Sequence, residues 1–151
     1  MNKPTYQTRT IADNIYSFTS VGKKGIILKV VIFTEISPNL YNLGFGDYDF
    51  ENESIDDEVE SKNGDMEKIL ATVIAIVGDF FDLHSKSTIF LTGSTSIRTR
   101  LYQIAISKYF EEFSDFYQIK GSINGISEQF QKDKNYESFL IKGNCKNKST
   151  V

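Results

Sequence analysis

Thr88-Ile-Phe-Leu-Thr-Gly-Ser-Thr-Ser-Ile-Arg-Thr-Arg-Leu-Tyr102 joins a short apolar run to a glycine, three hydroxyl residues and a helical pattern with two arginines. The apolar run at 89–91 predicts a buried strand. Gly93 permits a tight turn. Each of the next three residues can cap a helix, because a side-chain oxygen there accepts a free backbone N–H group. We therefore predict a strand, a turn and a helix, in that order.

The helix that follows has apolar residues at helical spacing. Its predicted core stripe consists of Ile97, Leu101, Ile104 and Ala105, continued by Tyr109 or Phe110 and by Phe113. This pattern predicts one helix that ends near Asp115.

Two arginines occupy the opening turns of this helix, where the helix dipole disfavours a cation by roughly 0.3–1 kcal/mol. Backbone N–H groups without intrahelical partners point outward beside them. These features predict a site for phosphate, sulfate or carboxylate. Since each residue turns the helix by about 100°, the two arginines point about 200° apart and only one faces a given anion. The candidate residues are Gly93, Ser94, Thr95, Ser96, Arg98, Arg100 and Tyr102, the last of which could stack on a base or bind a hydroxyl.

A purely structural interpretation of the same stretch stays open. A glycine and hydroxyl caps are ordinary between a strand and a helix, and the arginines could pair with carboxylates of the chain itself. The stretch lacks the Gly-Lys-Ser/Thr of a P-loop, and its single glycine does not make a dinucleotide fingerprint.

The 151 residues predict a single domain, 1–151, with residues 1–12 and 143–151 loosely ordered. A hydrophobic content of 40 % and a charged content of 25 % are typical of a globular protein. No apolar run approaches the ~20 residues of a membrane helix, and no apolar signal region begins the chain, so we expect a cytoplasmic protein without a membrane partner. Cys145, the single cysteine, cannot form an internal disulfide.

Charge is concentrated in one segment. Residues Asp47 to Asp65 include nine acidic residues and one lysine, a net charge of −8, and leave a net charge of +5 on the rest of the chain. The acidic spacing imitates part of a calcium loop, but Asn52 occupies the position of the required glycine and a strand precedes the segment. We therefore predict a solvated loop, no metal site and no cofactor.

The remaining patterns predict strands and one further helix. Alternation predicts strands at 15–21, 26–36 and 40–47, a broad apolar stripe predicts a mostly buried helix from 65 to 81, and Asn124-Gly125 predicts a hairpin between 117–123 and 126–130. A last strand is predicted at 136–141. The fold class is α+β: a mainly antiparallel sheet of about six or seven strands with two helices packed on one face.

Four segments also resemble a family of small bacterial proteins classed as a domain of unknown function. They are Tyr41-Asn-Leu-Gly-Phe-Gly-Asp47, Asn63-Gly-Asp65 with Ile69-Leu-Ala-Thr-Val73, Gly93-Ser-Thr95 with Arg98-Thr-Arg-Leu-Tyr102, and Asn135-Tyr-Glu137 with Phe139-Leu140. The resemblance covers nearly the whole chain and implies a stand-alone bacterial cytoplasmic protein. It implies no activity, substrate or catalytic residue.

Three functions remain from these observations. The first is a binding module for a phosphate-bearing ligand, nucleic acid or nucleotide, whose basic surface Lys23, Lys24 and Lys29 could extend. The second is a protein-interaction component of a small bacterial two-protein system, or a homo-oligomer. The third is a nuclease-like enzyme, which ranks last because the chain has no recognisable catalytic motif and only one histidine, His84.

Overall fold

A computed structural model describes residues 4–56 and 63–143 of the chain. Within these ranges it contains nine strands and three helices. In chain order they are β1 (Arg9–Ala12), β2 (Ile15–Gly22), β3 (Gly25–Ser37), β4 (Leu40–Asp49), β5 (Ser54–Asp56), α1 (Met66–Leu83), β6 (Thr88–Leu91), α2 (Ser96–Lys108), α3 (Phe110–Phe116), β7 (Tyr117–Ile123), β8 (Ile126–Gln129) and β9 (Ser138–Gly143). The α+β class and the mainly antiparallel sheet are confirmed.

The predicted number of six or seven strands is wrong, since the sheet has nine. All seven strands predicted from the sequence are present, and β1 and β5 are additional. Every residue of β1 is exposed, and β5 has only three residues, of which one is half-buried. A strand that buries neither face shows no apolar alternation, so its sequence resembles that of a loop.

The predicted number of two helices is also wrong. The helical pattern after the central turn is interrupted at Tyr109, whose φ of −109° and ψ of 15° separate α2 from α3. The backbone N–H of Tyr109 still donates to the carbonyl of Ala105. Apolar periodicity continues across this break, which explains why the sequence predicts one helix instead of two.

The chain forms two compact units. The first comprises the described residues of Met1–Thr34 and Gly44–His84, and the second those of Glu35–Leu43 and Ser85–Val151. In the first unit β1 pairs with β2, β2 with β3 and β4 with β5, all antiparallel. In the second unit the first residues of β4 pair in parallel with β6. Strand β6 then pairs with β9, β9 with β7 and β7 with β8, all antiparallel.

The first unit is built around α1, which is mostly buried as predicted. Its buried residues are Ile69, Ala71, Thr72, Val73, Ile76, Val77, Phe80 and Phe81. Phe80 stacks on Phe33 of β3 with ring centroids 4.0 Å apart, and His84 stacks on Phe80 at 4.4 Å. The lone histidine therefore packs against the core at the end of α1. No helix in the described part of the chain is long and apolar enough to cross a membrane.

The beginning of α1 is held by a polar cluster. Asp65 is the cap residue, yet its carboxylate makes no capping hydrogen bond. Instead its Oδ2 accepts the hydroxyls of Tyr6 and Ser20, each at 2.5 Å. Asn63, which is 2 % exposed, accepts the N–H of Lys24 and donates to Ser20 and Gly25. These bonds fasten the start of α1 to the β2–β3 hairpin.

One predicted element of the basic surface is also wrong. Lys29 of β3 is only 4 % exposed and forms an ion pair with Asp47 of β4, so its charge is neutralised within the first unit. Residues 57–62, which belong to the acidic segment with the calcium-like spacing, lie outside the described residues, as does Cys145.

Candidate functional site

The central strand-turn-helix has the predicted order, and its cap is Thr95. This residue has an extended backbone, with φ −131° and ψ 161°, and its Oγ1 accepts the backbone N–H of Arg98 at 3.1 Å. The cap therefore occupies one of the outward N–H groups of the first turn, which is then not available to an anion.

Gly93 lies directly against the start of α2. A Cβ atom on this glycine would be 2.4 Å from the backbone nitrogen of Thr99 and 2.7 Å from Cβ of Arg98. The N–H of Gly93 donates to Oγ1 of Thr99 at 2.9 Å, and that hydroxyl donates to the carbonyl of Thr95 at 3.1 Å. Gly93 is needed here for close approach of two backbone segments, and its N–H is bonded within the turn.

The two arginines of α2 have different environments, as their angular separation predicts. Arg98 is 8 % exposed and belongs to the buried face of the helix together with Tyr102, Gln103, Ala105 and Ile106. Arg100 is exposed. Within residues 4–56 and 63–143, its guanidinium forms no hydrogen bond or ion pair. The suggestion that both arginines pair with carboxylates of the chain therefore does not apply to Arg100 within this part of the protein.

The predicted core stripe of this helix is correct only in part. Ala105 and Tyr109 are buried as predicted, but Ile97 is 59 % exposed and Ile104 is 47 % exposed, and Tyr102 and Ile106 are buried instead. Its buried face includes Arg98 and Gln103, polar residues that a search for apolar periodicity does not select.

Arg100 lines a pocket of about 340 Å³ in the second unit. The lining residues are Ser96, Thr99, Arg100 and Gln103 from α2, and Asn135, Tyr136 and Glu137 from the segment before β9. The helical residues are spaced three, one and three apart, which places them on one face of α2. The volume is at the lower end of the range of small-molecule sites.

Gln103 holds the opposite wall of this pocket. Its Nε2 donates to the carbonyl of Lys134 at 2.8 Å, and its Oε1 accepts the N–H of Tyr136 at 3.2 Å. Gln103 is 6 % exposed, so its bond to Tyr136 is buried and its bond to Lys134 is partly buried. Both ends of the amide thus attach the segment to the helix.

Tyr136 packs its ring over a glycine in β7. A Cβ atom on Gly121 would lie 2.3 Å from Cγ of Tyr136, so only glycine leaves room for this ring. The Tyr136 hydroxyl donates to Glu128 at 2.6 Å, and Lys134 pairs with the same carboxylate at 2.9 Å. Burial raises the pKa of Tyr136, as does the hydrogen bond to Glu128, whose own pKa is lowered by that bond and by Lys134.

Glu137 is fixed by three hydrogen bonds. Its N–H donates to the carbonyl of Ser122 at 2.9 Å, and its carbonyl accepts the Thr92 hydroxyl at 2.9 Å. Its carboxylate Oε1 accepts the N–H of Asn124 at 2.7 Å. Asn124 and Gly125 form the predicted β7–β8 turn, with φ values of 53° and 78°. The carboxylate therefore has a defined position beside the β7–β8 turn, and Glu137 is one of the residues that line the pocket.

The pocket brings together two of the seven candidate residues, Ser96 and Arg100. Gly93 and Thr95 shape the turn beside it, and Ser94, Arg98 and Tyr102 are not among its lining residues. Sequence reasoning did not select the other five lining residues, Thr99, Gln103, Asn135, Tyr136 and Glu137. Nothing in the local pattern of the last three places them beside α2.

A sequence profile of the family of unknown function DUF6934 matches residues 2–144. The chain belongs to this family. The predicted membership of a family of unknown function is thus confirmed, and the DUF6934 region includes every residue that lines the pocket. No curated protein and no solved structure is significantly similar to the chain.

The described part of this DUF6934 chain contains no group of three or more histidine, cysteine, aspartate or glutamate residues placed to hold a metal ion. In the acidic segment, the carboxylate of Asp49 bonds to its own loop. Asp49 accepts the N–H groups of Glu51 and Asn52 and the side-chain amide of Asn52, which lower its pKa. Its carboxylate thus organises a local turn.

Proposed function

We propose that this protein is a small binding module for a phosphate-bearing ligand, a nucleotide or nucleic acid, which it holds at the pocket on α2. The observation that supports this proposal is the guanidinium of Arg100. It lines a pocket, and among the described residues no carboxylate neutralises it. A guanidinium offers several donors in a planar array that matches phosphate oxygens.

Two neighbouring groups add to this chemistry. The hydroxyl of Ser96 lies on the same wall, one turn before Arg100 in the helix, and hydroxyls commonly bind phosphate oxygens. Asn135 contributes an exposed amide from the opposite segment. The opposite segment is held in place by Gln103, so ligand binding requires little ordering of the pocket.

Binding is favoured over catalysis because of the lining residues. They include one carboxylate and neither histidine nor cysteine. The nuclease-like alternative needs a nucleophile with its base, or a metal, and the protein-interaction alternative needs a partner. Both rank below the binding module.

The experiment is a binding titration with labelled single-stranded RNA and DNA and with nucleotides, at low and moderate salt. We compare the wild type with Arg100→Ala and with the matched control Arg9→Ala. Arg9 is an exposed arginine of β1, so both variants lose one exposed positive charge. Arg98 is left unchanged because it is buried.

We expect binding that weakens with salt and falls roughly tenfold in Arg100→Ala, as loss of a charge-assisted contact implies, while Arg9→Ala retains it. The proposal is overturned if folded wild-type protein binds none of these ligands. Equal effects of the two substitutions would also overturn it, because binding would then depend on overall charge and not on this pocket.

A further inference from the structure

The pocket on α2 contains two opposite charges that do not pair with each other. Arg100 and Glu137 both line it, yet within the described residues Arg100 forms no ion pair, and the Glu137 carboxylate accepts the Asn124 N–H. A ligand that complements both groups must present an anion to Arg100 and hydrogen-bond donors to Glu137.

Glu137 is well suited to select such donors. Its backbone is bonded on both sides, to Ser122 and to Thr92, and its carboxylate is oriented by the turn N–H of Asn124. That one bond to Oε1 leaves Oε2 and a lone pair of Oε1 available. A fixed acceptor discriminates between ligands better than a mobile one, because a mismatched ligand cannot draw it into another geometry.

The bases differ in the donors that they present on one edge. Guanine presents N1–H and the N2 amino group side by side, which a carboxylate can accept together. Adenine and cytosine place a ring acceptor beside their amino group, and uracil flanks its N–H with two carbonyls, so each of these brings an acceptor towards a carboxylate.

We infer that the ligand is a guanine mononucleotide whose phosphate binds Arg100 and Ser96 and whose base donates to Glu137. This inference rests on the proposed function and specifies its ligand. The volume of about 340 Å³ agrees with one nucleotide rather than with a longer strand. Asn135, on the same wall as Glu137, provides an amide donor for the O6 or N7 acceptor of guanine.

The test is isothermal titration calorimetry with 5′-GMP, 5′-AMP and guanosine. The proteins are the wild type, Glu137→Gln, Arg100→Gln and the control Arg9→Gln. Glutamine at 137 retains a side-chain oxygen for the Asn124 N–H, so the turn keeps its hydrogen bond while the charge is removed. Thermal unfolding of each variant verifies that it is folded.

For the wild type we expect GMP to bind roughly tenfold or more tightly than AMP. Glu137→Gln removes the preference, so that this variant binds GMP and AMP with similar affinity. Arg100→Gln weakens both nucleotides by a similar factor, and guanosine binds the wild type more weakly than GMP.

The possible failures are distinguishable. Equal wild-type affinity for GMP and AMP, or a GMP preference that survives in Glu137→Gln, overturns the assignment of guanine while the phosphate site stands. Absence of any nucleotide binding, or guanosine binding as tightly as GMP, overturns the proposed function together with this inference.

Discussion

The side chain of Gln103 bonds to the backbone of Tyr136, with Oε1 accepting the Tyr136 N–H at 3.2 Å, while Nε2 donates to the carbonyl of Lys134. One buried amide thus attaches the 134–136 segment to α2. The geometry of the pocket depends on this attachment, since the segment carries Asn135 and leads directly into Glu137.

Gln103→Ala should therefore destabilise the protein. It leaves the buried N–H of Tyr136 and the partly buried carbonyl of Lys134 without these partners, which costs about 1–3 kcal/mol of unfolding free energy. Urea denaturation measures this change. Gln118→Ala is the control, because Gln118 is an exposed glutamine of β7. Equal denaturation midpoints of the two variants would contradict the assigned role of Gln103.

Gly93→Ala should also destabilise, for a steric reason. The added methyl group would lie 2.4 Å from the backbone nitrogen of Thr99, and the backbone cannot move aside as a flexible side chain could. Overpacking of this kind costs about 1–3 kcal/mol. The control is Gly44→Ala, whose methyl group would have Ile32 O as its nearest contact, at 3.7 Å. The melting temperature of Gly93→Ala should be clearly lower than that of Gly44→Ala. An unchanged melting temperature in Gly93→Ala would show that the turn has room for the added methyl group.

Alanine substitutions along α2 test the orientation of this helix. Ile106 is 4 % exposed, so Ile106→Ala should cost about 2–5 kcal/mol. Ile97 and Ile104 are largely exposed, and their alanine variants should stay within about 0.5 kcal/mol of the wild type. The unfolding free energies of the three variants, measured by chemical denaturation, distinguish the two orientations of α2. A large loss in Ile97→Ala with a small one in Ile106→Ala would favour the stripe predicted from the sequence.

Two tyrosine-to-phenylalanine substitutions should change the stability of the protein in opposite directions at neutral pH. The Tyr16 hydroxyl is buried and has no hydrogen-bond partner among the described residues, so Tyr16→Phe removes a desolvated group and should stabilise by roughly 1 kcal/mol. The Tyr136 hydroxyl donates to Glu128, so Tyr136→Phe should lower the melting temperature. Stabilisation by Tyr136→Phe, or destabilisation by Tyr16→Phe, would contradict these assignments.

The difference in unfolding free energy between Tyr16→Phe and the wild type should grow at alkaline pH. Burial raises the pKa of Tyr16 above its ordinary value of 10.0, with further contributions from Asp79, Asp13 and Asp82. Above pH 10 the unfolded chain loses this proton while the folded chain retains it, so the contribution of Tyr16 to wild-type stability falls as pH rises through that range. Denaturation at several values between about pH 9 and pH 11 measures the widening gap. A constant gap would show that the Tyr16 pKa is not raised.

Patterns that arise from burial were predicted well. The β2–β3 hairpin, the buried helix α1 and the β7–β8 turn at Asn124-Gly125 all have strong local signals, and all are present. Elements without a buried face, β1 and β5, were missed because their residues show no alternation. The break at Tyr109 was missed because apolar spacing continues through it.

The candidate site was predicted only in part, and α2 shows why. Sequence spacing indicates correctly that Arg98 and Arg100 face different directions, but it does not indicate which one is buried. That choice depends on which side of α2 packs on the core. The choice is not obvious from hydrophobicity, since the buried side carries Arg98 and Gln103 while Ile97 and Ile104 are exposed.

The sequence by itself determined the α+β class, seven strands, the helix α1, and the strand-turn-helix around Gly93, because each depends on residues close together in the chain. Only the tertiary structure decided that Arg100 faces Asn135 and Glu137 across a pocket. These residues are separated by more than 30 positions, and hydrogen bonds from Gln103, Thr92 and Asn124 bring them together. Such long-range contacts leave no periodic trace in the sequence.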